Sequence, residues 1–406
     1  MRVIAEGTVT AARGFSAGAA ANGLKGGGGL DVALVYSERP CTAAGVFTKN
    51  EIVAAPVVVD RETLVMNRDA IHGVAANAGN ANACTGQAGL IAACVMQQGA
   101  ADAFGQRPEQ WLILSTGVIG VPLPVEKVLA GIREAAGVVS EDGGLKAAEA
   151  IMTTDTRPKH IAVEISMPGG IVTIGGIAKG SGMIHPNMAT MLGVVTTDAV
   201  VSADLLHRLL TQAVNESFNC ISVDGDTSTN DTVLLLANGA SSVEVVDGEG
   251  LALFAKGLDF VCTELAKMIV WDGEGATKLA EIQITGAFTA AEAKTVAQTV
   301  ATSPLFKTAL AGGDANWGRI VAAAGRVGIP LKVERLALWV GRPGQEPLQL
   351  LDKGGAVDYA EGEAAAVFAS DEIIIQLDLG EGDGQATMWT CDLTHEYVTI
   401  NADYRT

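Results

Sequence analysis

Strict alternation of apolar and polar positions, or short β-branched runs, marks strands along much of the chain. They fall at about 161–167 (IAVEISM), 171–179 (IVTIGGIAK), 232–237 (TVLLLA), 336–340 (LALWV), 373–379 (IIIQLDL) and 386–391. Strand-like runs also cover Leu30–Tyr36 and Trp111–Leu114. Helical periodicity appears at 124–137, where Val125, Val128, Leu129 and Ile132 share one face, and at 203–216, where Leu205, Leu206, Leu209, Leu210 and Val214 do so. The Ala-rich stretch 88–104 and the segment 289–301 read as helices too. Strands and helices are interspersed, so the pattern predicts a layered α/β or α+β fold. Gly-rich turns at 247–250 and 272–275, and Pro343–Pro347, are candidate boundaries.

Composition narrows this picture. Of 406 residues 49 are Gly, 49% are apolar and only 4% aromatic, so the chain is built from small side chains. Collagen would need Gly at every third position, and disorder would need far fewer apolar residues. With 46 acidic against 27 basic residues the net charge is −19, which repels phosphate backbones and argues against nucleic-acid binding. No apolar run reaches transmembrane length and the first residues lack a signal-peptide pattern, so a cytoplasmic protein is expected. Six scattered cysteines (Cys41, Cys84, Cys94, Cys220, Cys262, Cys391) form no C-x-x-C pair and are expected to be reduced and mostly buried. The five histidines are equally dispersed, so no metal site is expected.

Several Gly- and Asp-rich segments carry candidate chemistry. Gly26–Gly29 precedes a strand and lacks the Lys-Ser/Thr ending of a phosphate cradle, which leaves a flexible turn. Asn77–Asn82 (NAGNAN) suits left-handed turns with amides aimed inward, either a site wall or a plain loop. Ser115-Thr116-Gly117 follows an apolar run, where a hydroxyl and an unhindered N–H can form an oxyanion hole or simply a turn. In Lys179–Leu192 (KGSGMIHPNMATML), small residues on both sides of Ala189-Thr190 leave a carbonyl open to attack; a strand–loop–helix connection is the alternative. Asp224–Asp231 (DGDTSTND) places three carboxylates in eight residues, but its Gly is misplaced for a calcium loop and the terminal Glu is missing. A loop that orders a polar site or caps a helix fits better.

Taken together these segments resemble the ornithine acetyltransferase family, also called glutamate N-acetyltransferases, of arginine biosynthesis. The likeness runs from Gly14, Phe15, Ala17, Gly23 and Lys25 through TAAGVFT (Thr42–Thr48), NAGNANACTG, STGVIG with Leu123-Pro124, and MTTDT with Pro158-Lys159. It continues through GGIAKGSGMIHPNMATML, SVDGDTSTND, GEGATK, GDANWGRI and the terminal EYVTINADYRT. Ser222 stands where Thr is expected before V-D-G-D, and Ala315 where Pro is usual, which bears on local packing and turn stiffness rather than chemistry.

The resemblance implies a precursor that cuts itself between Ala189 and Thr190. Residues 1–189 and 190–406 would become two chains, with a smaller C-terminal α+β domain at about 282–390 and a tail, 391–406, returning to the site. Thr190 would then be an N-terminal nucleophile in a ping-pong transfer of acetyl from N-acetylornithine to glutamate, with Thr116 and Gly117 as the oxyanion pair. Substrate contacts carry over to Thr153 (chosen over Thr154), Lys179, Thr190, Glu274, Asn401 and Thr406. Lys179 and Glu274 suit a substrate with carboxylate and amino ends; a mutual surface ion pair is the plainer alternative. The implied fold is an αββα-type sandwich formed by both chains, the implied assembly α2β2, with no cofactor and no membrane partner. Use of acetyl-CoA as a second acetyl donor stays open. Two other readings stand beside this one: an autoproteolytic N-terminal-nucleophile aminopeptidase or amidase, and a non-catalytic acidic binding protein.

Overall fold

The computed structural model describes residues 1–185 and 191–403. A nine-stranded sheet runs in the spatial order Arg2–Ile4, Lys159–Met167, Gly170–Lys179, Leu192–Thr197, Thr232–Ala237, Val32–Phe47, Ile71–Asn80 and Trp111–Val118, with Phe15–Ala20 alongside Val32–Phe47. The 16-residue strand Val32–Phe47 is the hinge of this arrangement. Its first part, Val32–Ser37, pairs with Phe15–Ala20 and Ile71–Asn80, whereas Thr42–Phe47 pairs with Thr232–Ala237. The register shifts between Tyr36 and Cys41, and the sheet thereby folds over into two layers.

Side-chain parity shows what each layer faces, because successive residues of a strand point to opposite faces. Ala33, Val35, Val74, Ala76, Leu112 and Leu114 of one layer share a core with Leu192, Val194, Leu234 and Leu236 of the other. The alternate residues Val32, Leu34, Ala75, Trp111 and Ile113 pack outward against helices Gly86–Ala103 and Val125–Ala136. On the opposite outer face Val163, Ile165, Ile174, Val195, Val233 and Leu235 meet helices Ala203–Glu216 and Gly248–Trp271. The order is therefore helix, sheet, sheet, helix: an αββα sandwich.

A second, seven-stranded sheet has the order Gly355–Ala356, Leu348–Asp352, Ala337–Gly341, Glu372–Asp378, Leu279–Ala287, Gly384–Cys391 and Ile221–Ser222. Helix Ala290–Ala301 packs against Leu279–Ala287 and Gly384–Cys391, and the long helix Gly248–Trp271 joins this sheet's core to the first. The chain then enters a last helix, His395–Asp403.

Most expected elements are present, several with identical bounds, such as Thr232–Ala237 and Ala203–Glu216. Of the two Gly-rich stretches read as turns, 248–250 is instead the first turn of the 24-residue helix Gly248–Trp271, and 272–275 follows its end. Asn77–Asn80 is strand rather than loop, although Gly79 and Asn82 do take positive φ. All six cysteines are free; Cys41, Cys220, Cys262 and Cys391 are buried, and burial pushes the Cys41 thiol up to about 12. No described helix is long and apolar enough to cross a membrane.

Candidate active site

Strands Gly170–Lys179 and Trp111–Val118 belong to different layers, and their C-terminal ends meet at the rim of the sandwich. There Lys179 Nζ donates to Thr116 Oγ1 at 3.4 Å. An ammonium only donates, so Thr116 accepts here and its own hydroxyl hydrogen stays free to point elsewhere. Next along the strand, Gly117 lies beside Gly79 and Asn80 of the neighbouring parallel strand. Thr116, Gly117, Thr153, Thr154, Lys179, Glu274 and Asn401 all line one cavity of about 330 Å³. Its remaining walls include Ala81, Met183, Asp224, Thr227, Asn230 and Tyr397. Ala189, Thr190 and Thr406 lie outside the described residues.

The two threonines of the 152–156 loop differ in how they are engaged. Thr154 Oγ1 is 2.6 Å from Ser181 Oγ, whereas the Thr153 hydroxyl has no hydrogen-bond partner among the described residues. Thr153 is held instead through its backbone, whose N–H donates to Asp155 Oδ2 at 2.9 Å. Lys179 and Glu274 are buried, 3% and 8% exposed, so the surface ion-pair reading does not hold. Glu274 follows the long helix; its N–H donates to Ser181 O at 2.9 Å and its Oε2 accepts from Asn401 Nδ2 at 2.7 Å. Asn401 reaches it from the last helix, whose Tyr397 hydroxyl also donates to Asp224 Oδ2 at 3.3 Å. The last helix, His395–Asp403, thus lies against the cavity.

The DGDTSTND segment explains itself through backbone contacts. Asp224 accepts the N–H groups of Met183 (2.5 Å) and Ile184 (2.9 Å), while Asp231 Oδ1 accepts that of Met191 at 3.0 Å. Two of its carboxylates therefore grip both flanks of the 186–190 segment. Met183 itself sits at φ +58°, a conformation costly for a side-chain-bearing residue unless its surroundings hold it. Asn230 Nδ2 donates to Ala81 O (2.7 Å) and Ser115 O (2.8 Å), tying the segment to the strand ends that carry Thr116. Ser222 bonds Ile184 O at 3.3 Å and meets His185 Nδ1 at 3.2 Å, so the position that departs from the expected Thr still supplies a hydroxyl. The sequence flagged these carboxylates as a motif, but nothing local indicated which backbone they would reach. Among the described residues no group of His, Cys, Asp and Glu could hold a metal ion.

Electrostatics follow from burial. Desolvation lowers the Lys179 ammonium from its ordinary value; Asp155, Glu274 and Asp231 work against this and Lys159 adds to it. Desolvation also raises Asp224, and it raises Asp231 well above the carboxylate range despite the Met191 N–H. The acidic groups Glu274 and Asp224, with Asn401, and the ammonium of Lys179, with Thr116 and Thr153, line the same cavity. Such a cleft suits a small molecule carrying both charges.

The profile of the ArgJ family matches residues 16–406. The arginine biosynthesis bifunctional protein ArgJ of Symbiobacterium thermophilum is 50% identical over 404 residues, 98% of this chain and 99% of that protein. The corresponding ArgJ 1 of Clostridium acetobutylicum is 44% identical over 407 residues, covering 100% and 99%. Among solved structures, an arginine biosynthesis bifunctional protein from Bacillus halodurans is 41% identical, covering 52% of this chain and 97% of that one with a TM-score of 0.49. An ornithine acetyltransferase from Mycobacterium tuberculosis, solved with ornithine, is 38% identical, covering 46% and 97% with a TM-score of 0.43.

Proposed function

The chain belongs to the ArgJ family of arginine-biosynthesis enzymes, and from that premise we propose that it moves the acetyl group of N-acetylornithine to glutamate through an ester on Thr190. The enzyme is an acyltransferase, and the observation that carries the finer reading is the convergence of Thr116, Gly117, Thr153, Lys179, Glu274 and Asn401 on one cavity. They come from both sides of the Ala189–Thr190 bond.

The first step is self-cleavage. Thr190 Oγ attacks the Ala189 carbonyl carbon and the peptide C–N bond breaks, leaving an ester and a free Thr190 amine. Water then splits the ester, releasing the Ala189 carboxylate and restoring the hydroxyl. The new α-amino group has an ordinary pKa near 8, so about a tenth of it is neutral at pH 7 and able to take the hydroxyl proton.

Transfer repeats the same chemistry on substrate. Thr190 Oγ attacks the acetyl carbonyl of N-acetylornithine, ornithine leaves with a proton on its α-amine, and the acetyl ester remains. The α-amine of glutamate attacks that ester, forming N-acetylglutamate and freeing Thr190. The Thr116 hydroxyl, whose hydrogen the Lys179 contact leaves free, and the Gly117 N–H stabilise the oxyanion in each step. Lys179 holds a substrate carboxylate with the Thr153 hydroxyl beside it, Glu274 takes the amino end, and Asn401 and Thr406 close the site from the tail. No cofactor is required, acetyl-CoA is a candidate second donor, and the processed chains pair as α2β2 in the cytoplasm.

Acetylglutamate formation from glutamate, with acetylornithine and acetyl-CoA compared as donors, tests this reading. Thr190→Ala is expected to remain a single 41.5 kDa band on a denaturing gel and to transfer nothing. Residual transfer by that variant overturns the nucleophile. Acetate release independent of glutamate would favour an N-terminal-nucleophile amidase instead.

A further inference from the structure

Behind the cavity lies a buried chain of charges that the steps above leave unused. Lys159 Nζ is 2.6 Å from Asp155 Oδ1 and 2.6 Å from Asp272 Oδ2, with side-chain exposures of 1%, 0% and 2%. Asp155 Oδ1 also accepts the Gly180 N–H at 2.7 Å, and its Oδ2 the Thr153 N–H at 2.9 Å. Asp272 accepts the Thr156 N–H at 3.0 Å and the Thr156 hydroxyl, and Arg157 Nε stands 3.7 Å from it. Each connection reaches a different wall: the Thr153 loop, the strand end at Lys179-Gly180, and the turn that leads to Glu274. Burying three charges is costly unless paired geometry compensates, and stability alone is a weak reason for such a triad. A site that needs its walls fixed is a better one.

We propose that Asp155 is a positioning residue for acetyl transfer: one carboxylate ties the Thr153 loop to the Lys179 strand end and serves as the fixed countercharge of Lys179. This rests on Lys179 as the group that binds a substrate carboxylate. The charges facing Lys179 are Asp155, Lys159, Glu274 and Asp231, with Lys25 approaching from the N-terminal loop. Burial pulls Lys179 down and Asp155 is the largest influence holding it up. Burial would raise Asp155 itself, but Lys179 and Lys159 hold it well below the usual carboxylate range, so it stays ionised wherever the enzyme works. Removing that charge lowers Lys179 further. Substrate affinity is then lost at lower pH, as the ammonium deprotonates.

The test is the pH profile of kcat/KM for N-acetylornithine, with kcat and KM resolved separately on the processed enzyme. Asp155→Asn is expected to raise KM about tenfold or more and to move the basic limb down by about one to three pH units. Asp155→Glu keeps the charge and leaves the limb in place while raising KM. Lys159→Met removes a positive charge facing Lys179 and moves the limb upward. A merely structural role lowers activity without sending the limb in opposite directions. An unmoved limb in Asp155→Asn overturns the proposal. Should that variant fail to fold, Lys159→Met against Asp155→Glu decides, and coincident limbs overturn it. Lys179→Met with an unchanged KM would instead bring down the reading of Lys179, and the proposal with it.

Discussion

At Gly117 there is no room for any side chain. The residue takes φ +132°, and a Cβ there would lie 2.3 Å from the Gly79 carbonyl carbon and 2.5 Å from Asn80 N. Both atoms are backbone of the adjacent strand, so relief means parting two hydrogen-bonded strands. Gly182 is confined in a similar way, by the Glu274 carboxylate 2.4–2.5 Å from where its Cβ would be. Glycine at these points lets backbone pack this closely in the wall of the cavity. Gly117→Ala is therefore expected to turn the 117 N–H away from the cavity and lower kcat about 100-fold or more, with KM for N-acetylornithine changing much less. Steady-state kinetics at saturating glutamate checks this, and a kcat near the wild-type value would remove Gly117 from the oxyanion hole. The Gly26–Gly29 run has no such role, since a Cβ at any of its four positions meets nothing within 4 Å.

The elements that were legible in the sequence are those whose burial is one-sided or β-branched, such as Ala203–Glu216 and Thr232–Ala237. Phe15–Ala20 (FSAGAA) and Ile71–Asn80 (IHGVAANAGN) were not, because their small residues give no apolar alternation. Their strand character comes from lying between packed neighbours, which local propensity does not record. Helix Gly248–Trp271 escaped for the opposite reason: it packs against the first sheet, helix Ala203–Glu216 and the second sheet, so no single apolar stripe stands out. The site was legible as motifs but not as connections. Asp231 lies 40 residues from the Met191 N–H it accepts, and Asp224 lies 40 and 41 from Ile184 and Met183. If these contacts hold the cleavage segment ready, loosening one end slows the bond-breaking step. Asp231→Ala is expected to cleave itself at least about tenfold more slowly, since a small misplacement of reacting atoms costs that much or more. Denaturing electrophoresis of freshly purified protein over time measures this; processing at the wild-type rate would mean the grip on Met191 is irrelevant to cleavage.

Over the whole molecule, the surplus of Gly and Ala and the bond at 189–190 bear on the same problem. Small residues let two sheets close on each other over a shared core, and that core is drawn from both sides of the bond. Ala33, Val35, Leu112 and Leu114 precede it, whereas Leu192, Val194, Leu234 and Leu236 follow it. The sheet is interleaved as well. Leu192–Thr197 pairs with Lys179–Ile174, and Thr232–Ala237 with Phe47–Thr42, so two ladders of backbone hydrogen bonds join the pieces. Separating them would open the first sheet between its central strands and expose an apolar face on each side, which amounts to unfolding. The proposed cleavage at 189–190 would therefore free the Thr190 amine without freeing either piece. The processed protein is expected to run as two bands under denaturing conditions, of 189 and 217 residues, yet to show in native mass spectrometry only species containing equal numbers of both. Denaturant should release the pieces in the same transition that abolishes the folded far-ultraviolet signal. Release of either piece at a lower concentration, with the other still folded, would show that the two sheets do not form one cooperative core.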